Sequence, residues 1–202
     1  VGRPRLHDDA VRDRLLERAA ATVSSGGVAA LNLRTLAAEA GTSTAAVYSL
    51  FGGKPGLVSA LYAQVFARFA QRLAAVGRSD DPVADLVRLG HAYRENALAD
   101  PHGYRVMFGE LSPDDVGRHA ARTGARTFEP LLDAVRRAVR AGTFPKRPAA
   151  ESIATALWAN VHGLVSIELG AFIPPRAGDP AAVFDAAVRA NVAGWAASAR
   201  GR

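Results

Sequence analysis

Apolar residues recur every three or four positions along almost the whole chain, and no stretch alternates polar with apolar. A helix turns through about 100° per residue and a strand through about 180°, so this periodicity excludes sheet architectures before any motif is considered. Val11, Leu15, Ala19 and Val23 mark a first helix that Gly26-Gly27 stops, and Leu33, Leu36, Ala37 and Ala40 mark a short second one ending at Gly41. A third spans about Thr44 to Phe51 and ends at Gly52-Gly53. The fourth carries Leu57, Leu61, Val65, Phe69 and Leu73 on one stripe and stops near Gly77.

After the polar link GRSDDP, further helices are expected over about 82–99, 101–110, 113–141, 148–173 and 180–199. Pro101, Pro113, Pro148 and Pro180 stand at their starts, where proline's fixed φ and missing N–H are tolerated. Pro130 falls inside one of them and should kink it or divide it in two. The expected fold class is all-α, with about nine helices.

Composition narrows the function. The 202 residues are half apolar and contain no cysteine, which fits a globular chain with no disulfide framework and no thiolate zinc site. The start VGRPRLHDD has no apolar run of the signal-peptide kind. The longest apolar stretch, SIATALWANVHGLVSIELGAFI, holds Asn160, His162 and Glu168, each costly in hydrocarbon, so a buried helix is expected and no membrane partner. There is no G-x-S-x-G, G-x-G-x-x-G, P-loop or H-E-x-x-H, and the five histidines (7, 91, 102, 119, 162) have no metal-ligand spacing. Asp80, Asp81, Asp114 and Asp115 sit at apparent helix starts, where capping accounts for them. Neither catalysis, nor a cofactor, nor a metal is expected.

Charge points to a polyanion. Residues 1–76 hold nine Lys/Arg against five acids, which puts +4 of the chain's net +6 in its first third. The same region contains a helix-turn-helix pattern over residues 33–57. Gly41 supplies the positive φ that ends one helix, and Ser43 caps the next through its hydroxyl. Leu36, Ala37 and Ala40 are expected to face Val47, Leu50 and Phe51. Thr44, Ala45, Tyr48 and Ser49 then look outward, as short polar or methyl-bearing groups suited to base edges in a major groove.

The stretch LNLRTLAAEAGTSTAAVYSLFGGKPGLVSALY resembles the DNA-binding segment of the tetracycline-repressor (TetR) family of bacterial regulators. The resemblance lies in Leu36-Ala37, Ala40-Gly41-Thr42-Ser43, Tyr48, and Phe51 with Lys54 and Leu57, and it covers about residues 5 to 62. It departs at Thr42, where a small apolar residue is usual, and at Leu50, where histidine is common. The resemblance implies that Tyr48 and Lys54 bind phosphates and that Arg34 and Thr35 touch backbone or a base edge. It also implies that Thr44, Ala45 and Ser49 face bases beside the capping Ser43, and that Arg3 and Arg5 form an arm to phosphate or minor groove. A bacterial, cytoplasmic location goes with it.

Further along, Trp158 to Gly163 (WANVHG) resembles a Trp-x-x-x-His-Gly motif of one C-terminal subgroup of that family. The family implies a small-molecule effector site there, with Tyr93, Tyr104, Met107, Phe108, Phe128, Trp158 and His162 as candidate lining. Two wide apolar faces close the chain: Val161, Leu164, Val165 and Phe172 on one helix, Phe184, Val188, Val192 and Trp195 on the last. Paired with their copies they would make a four-helix homodimer interface. The expected organisation is a helix-turn-helix DNA-binding domain over 1–54 and a helical effector-binding and dimerisation domain over 55–202. The expected function is a ligand-released repressor on a palindromic double-stranded DNA operator. An activator on the same fold, or a helical small-molecule or lipid-binding protein without DNA function, are the alternatives.

Overall fold

The computed structural model describes residues 5–109 and 126–200. Among them are nine α-helices: α1 (Arg5–Gly26), α2 (Leu33–Glu39), α3 (Thr44–Phe51), α4 (Lys54–Ala75), α5 (Pro82–Ala99), α6 (Pro101–Phe108), α7 (Glu129–Arg140), α8 (Ala150–Leu169) and α9 (Pro180–Arg200). Short 3₁₀ turns lie at Val28–Ala30 and Pro175–Ala177, and no described residue is in a strand. The fold is all-α. No helix among the described residues is long and apolar enough to cross a membrane.

Helix starts follow one local rule. Three helices open on an Asp-Pro pair: the aspartate accepts the first free amides while the proline fills a position whose N–H would go unused. Asp81 Oδ1 accepts from the Val83 and Ala84 amides at 2.9 and 3.0 Å, Asp100 Oδ1 from Gly103 at 2.8 Å, and Asp179 Oδ2 from Ala182 at 3.1 Å. Pro148 departs from the expectation, since α8 begins two residues later at Ala150 behind an Ala149 that makes no side-chain cap. Pro130 stands in the first turn of α7, after a turn at 127–128, so it opens a new helix rather than kinking a long one. Pro113, Asp114, Asp115 and His119 lie outside the described residues.

Helix ends follow a second rule. In α2, the Gly41 amide donates to Ala38 O at 3.1 Å and the Thr42 amide to Ala37 O at 2.9 Å, with Gly41 at φ 66°. In α7 the same pair of bonds surrounds Gly142 at φ 73°. In α8 they surround Ala171, whose amide donates to Glu168 O and whose successor Phe172 donates to Ile167 O. Ala171 is held at φ 55°, a left-handed conformation that a Cβ disfavours.

The chain divides into two compact units, one of residues 1–68 and 100–125 and the other of residues 69–99 and 126–202. In the first, α1 buries Leu15, Leu16 and Ala19, α4 buries Leu57, Val58 and Leu61, and Val47 of α3 is fully enclosed. Ser24 Oγ lies 2.6 Å from His102 Nδ1, tying α1 to α6.

The second unit packs Leu86 and Leu89 of α5 with Val135 of α7, Ile153 of α8 and Phe184 of α9. α5 and α9 come close at Gly90, where an added Cβ would sit 3.2 Å from Val188. A buried carboxylate crosses this core. Asp85, 1% exposed, accepts from Ser79 N and Oγ at 3.1 and 2.7 Å and from Arg137 Nη2 at 2.5 Å, with Arg88 on its other oxygen. Burial alone would raise its pKa, but the hydrogen bonds from Ser79 and Arg137 and the charge of Arg88 outweigh it and hold the pKa at about 2.

A carboxyl whose pKa is lower in the folded state stabilises the protein above its unfolded pKa, and that contribution is lost as pH falls through about 2. The gap corresponds to roughly 2 kcal/mol. Urea midpoints measured at pH 5 and pH 3 are expected to fall more in the parent than in Asp85→Asn; equal slopes would contradict the account. Ala171→Gly relieves the left-handed alanine against a smaller entropic cost, so a gain of about 0.5–1 kcal/mol in the urea transition is expected. A loss would show that the Ala171 conformation carries no strain.

Candidate nucleic-acid interface

The helix-turn-helix lies wholly in the first unit, and its two helices are too short to persist alone in water. Their caps therefore matter. Asn32 Oδ1 accepts from the Arg34 and Thr35 amides at 2.9 and 3.2 Å and starts α2. Ser43 Oγ accepts from the Ala46 amide at 3.2 Å and starts α3, as expected. Between them, the turn at Gly41 satisfies the last carbonyls of α2. Arg14 Nε of α1 donates to Ala40 O at 3.2 Å, placing a cation at the negative end of α2.

Val47 has no exposed surface and fixes the rotation of α3 about its axis. Helical spacing then turns Ala45, Tyr48 and Ser49 outward as one exposed stripe, with Thr44 half-buried on its flank. Tyr48 is 58% exposed. Leu50 and Phe51 are half-buried rather than enclosed, and the Phe51 ring lies 5.7 Å from the Arg12 guanidinium.

The α3–α4 corner positions both Tyr48 and Lys54. The Gly52 amide donates to Tyr48 O at 2.8 Å, and Gly53 follows at φ 119°. A Cβ on Gly53 would stand 3.3 Å from Tyr48 Cε1, so the bare glycine lets the ring lie against the backbone. Lys54 is then the first residue of α4. Two residues on, a Cβ at Gly56 would sit 1.8 Å from the Phe51 carbonyl oxygen, so this corner closes only around glycine. Among the expected contacts, Arg34, Thr35 and Ser43 are exposed and Lys54 is half-buried. Arg5 opens α1, while Arg3 lies outside the described residues.

Asn32, Arg14 and Gly56 were not anticipated. Asn32 is legible as an asparagine just before the apolar period of α2. Arg14 is not, because its partner is 26 residues away.

The effector candidates divide between the two units. In the second, Tyr93 Oη lies 2.9 Å from His162 Nδ1, the Trp158 ring is 6.0 Å from His162 and 6.2 Å from Phe128, and Phe69 meets Tyr93 edge-on. Burial holds the His162 pKa below its usual value. Tyr104, Met107 and Phe108 belong to the first unit, where Tyr104 and Met107 are buried and the Tyr104 and Phe108 rings are 5.1 Å apart.

The apolar faces of α8 and α9 need correction. Val165, Phe184, Val188 and Val192 are buried within their own unit and so form its core instead of an outer face. Val161, Leu164 and Trp195 are half-buried, Phe172 is 75% exposed, and Ile167, not anticipated, is 45% exposed.

Known proteins share this arrangement. Residues 15–61 match the family model of bacterial regulatory proteins, tetR family, and residues 86–191 match that of the tetracyclin repressor-like C-terminal domain. The HTH-type transcriptional regulator Rv1816 of Mycobacterium tuberculosis is 25% identical over 96% of this chain and 95% of its own length. A protein of unknown function from Rhodococcus sp. RHA1 superposes with a TM-score of 0.77 at 27% identity, covering 92% of this chain and 95% of that one. A TetR family transcription regulator from Marinobacter aquaeolei VT8 gives 0.75 over 97% and 98% of the two chains; at 22% identity it bears on the fold alone.

Asn32→Ala leaves two amides at the start of α2 without their acceptor, and about 1 kcal/mol of stability should be lost, measured by urea unfolding. Asn32→Ser, which keeps an acceptor, should recover most of it. Equal losses in both variants would show that the cap contributes nothing.

Proposed function

The chain belongs to the tetracycline-repressor (TetR) family of DNA-binding transcriptional regulators, and we propose that it acts as a ligand-released repressor, binding a palindromic operator as a homodimer. The reading is supported most by the exposed stripe of Ala45, Tyr48 and Ser49 on a capped eight-residue helix. In this proposal Thr44, Ala45 and Ser49 enter the major groove beside Ser43, and Tyr48 and Lys54 hold phosphates on its rim. The first turn of α4 adds free amides and a favourable dipole for the phosphate at Lys54. Arg34 and Thr35 contact backbone or a base edge.

A single short helix reads few base pairs, so two heads related by a two-fold axis are proposed to read half-sites about a helical turn or more apart. Val161, Leu164, Phe172 and Trp195, together with Ile167, supply the apolar surface for pairing. A small-molecule effector is proposed to bind in the second unit at the ring cluster of Phe128, Trp158, His162 and Tyr93. Release then requires that the effector bind the non-DNA state more tightly, since equal affinity for both states shifts nothing.

Gel shifts of a randomised duplex pool at two salt concentrations test the reading. Tight, salt-sensitive binding with a recoverable preferred sequence is expected; the absence of any preference would refute it. Lys54→Ala should weaken binding to every sequence and lower the slope of log affinity against log salt by about one. Tyr48→Phe should cost roughly 1–2 kcal/mol on all sequences while leaving that slope nearly unchanged, because no charge is removed.

A further inference from the structure

We propose that Asn96 is the polar anchor of the effector site, and that the effector is an uncharged molecule with an aromatic body and an amide-like hydrogen-bonding group. The inference rests on the effector-released reading above and names the chemical class that the site takes.

Asn96 is 9% exposed on α5, one turn beyond Ala92 and Tyr93, and its carboxamide exchanges no hydrogen bond with any described residue. A buried amide left unsatisfied costs stability that an apolar group of similar size would not. The other buried polar residue of α5 shows the contrast, since Asp85 has Ser79, Arg88 and Arg137 as partners. Folding alone gives no reason for an amide at position 96.

Its place on α5 ties Asn96 to the ring cluster. Eleven residues make about three turns, so Asn96 lies on the same side of the helix as Asp85, the side against α7. α7 runs antiparallel to α5: Arg137 near its end meets Asp85, and Phe128 before its start is joined through Trp158 and His162 to Tyr93. Asn96 therefore stands at the level of the cluster, on the flank towards Phe128. Asn160 Oδ1 is also buried without a partner, but it lies about 160° around α8 from His162 and takes no part.

The surroundings of the amide select the chemical class. Trp158, 37% exposed and edge-on to Phe128, offers ring surface to a flat apolar body. No charge remains to hold an ion. Among the described residues of this unit, every Lys, Arg, Asp and Glu that is not exposed already has an ion partner: Asp85 with Arg137, Arg94 with Glu168, Asp133 with Arg78 and Asp185 with Arg189. Burial lowers the His162 pKa as well and favours its neutral ring. An ionised group brought here would lose its hydration and gain no counter-charge. A carboxamide presents a donor and an acceptor side by side, which an amide or lactam matches with two parallel hydrogen bonds.

The test titrates the full chain with matched carboxamides, carboxylates and aminomethyl compounds built on benzene, indole and naphthalene, followed by ligand-observed NMR. At least one carboxamide should bind, about tenfold or more tighter than its two charged counterparts. Asn96→Leu should weaken that carboxamide roughly 3- to 10-fold, while the urea midpoint of the ligand-free variant stays level or rises. Asn96→Ala should weaken it likewise and serves if leucine does not fit. Both variants should bind the preferred duplex of the parent with unchanged affinity, and the carboxamide should release them from it less readily. Absence of carboxamide binding, charged counterparts that bind as tightly, or an affinity unchanged in both variants overturns the proposal. A lower urea midpoint with ligand affinity intact assigns Asn96 to the fold and overturns it too. If the titrations fail while the parent keeps a preferred duplex, the DNA-binding reading stands; a parent with no preferred duplex overturns that reading, whatever the titrations give.

Discussion

A chain whose regular elements, among the described residues, are all helices satisfies the backbone of those elements everywhere except at helix ends, and that exception organises this structure. Asp81, Asp100 and Asp179, each followed by proline, absorb the free amides of α5, α6 and α9. Left-handed residues at Gly41, Gly142 and Ala171 absorb the free carbonyls of α2, α7 and α8. The constraint weighs most on α2 and α3, seven and eight residues long, because so few internal bonds hold them. Asn32, Gly41 and Ser43 close their exposed ends, and Val47 anchors α3 below. The outward stripe of Ala45, Tyr48 and Ser49 owes its orientation to these four residues, none of which belongs to it.

The second unit relies on buried charge as well as apolar contact. Asp85 of α5 meets Arg137 of α7, and Glu168 of α8 meets Arg94 of α5 at 2.7 and 2.5 Å, with Arg94 also over the Phe184 ring. Apolar helix faces tolerate a shift along their length, because one leucine replaces another at similar cost. A buried carboxylate does not, since sliding by one turn would leave it unpaired in the core. The buried Asp85 pair and the half-buried Arg94–Glu168 pair fix α5 against α7 and α8 more sharply than the surrounding leucines and alanines.

Legibility in the sequence followed the range of the interaction. The helices, the Gly41 turn and the Ser43 cap depend on residues a few positions apart, and the outward set of α3 followed once one buried face was assumed. Arg14 with Ala40 O and Asp85 with Arg137 depend on folding and left no local trace. The faces of α8 and α9 show a different limit. Periodicity identifies Val165, Phe184, Val188 and Val192 as apolar stripes, but a stripe does not say whether its partner is the same chain or another copy. The core of the chain took these four, and Ile167, just beside them, was left outside.

The small outward groups of α3 have a consequence for affinity. Methyls and hydroxyls reach base edges only if the helix backbone approaches the groove floor, and Ala45, Ala46 and Ser49 add little bulk to prevent it. Such contacts carry little free energy each, so on the proposed reading most binding comes from phosphates, to which residues 1–76 bring a net charge of only +4. One head built this way would bind weakly and select poorly. Two heads held by a common surface add their contacts without a second loss of translational freedom. The exposed Phe172 and Ile167 are the kind of surface that such pairing would cover, so on the proposed reading the small outward groups of α3 and these exposed apolar residues of the second unit would be served by the same pairing.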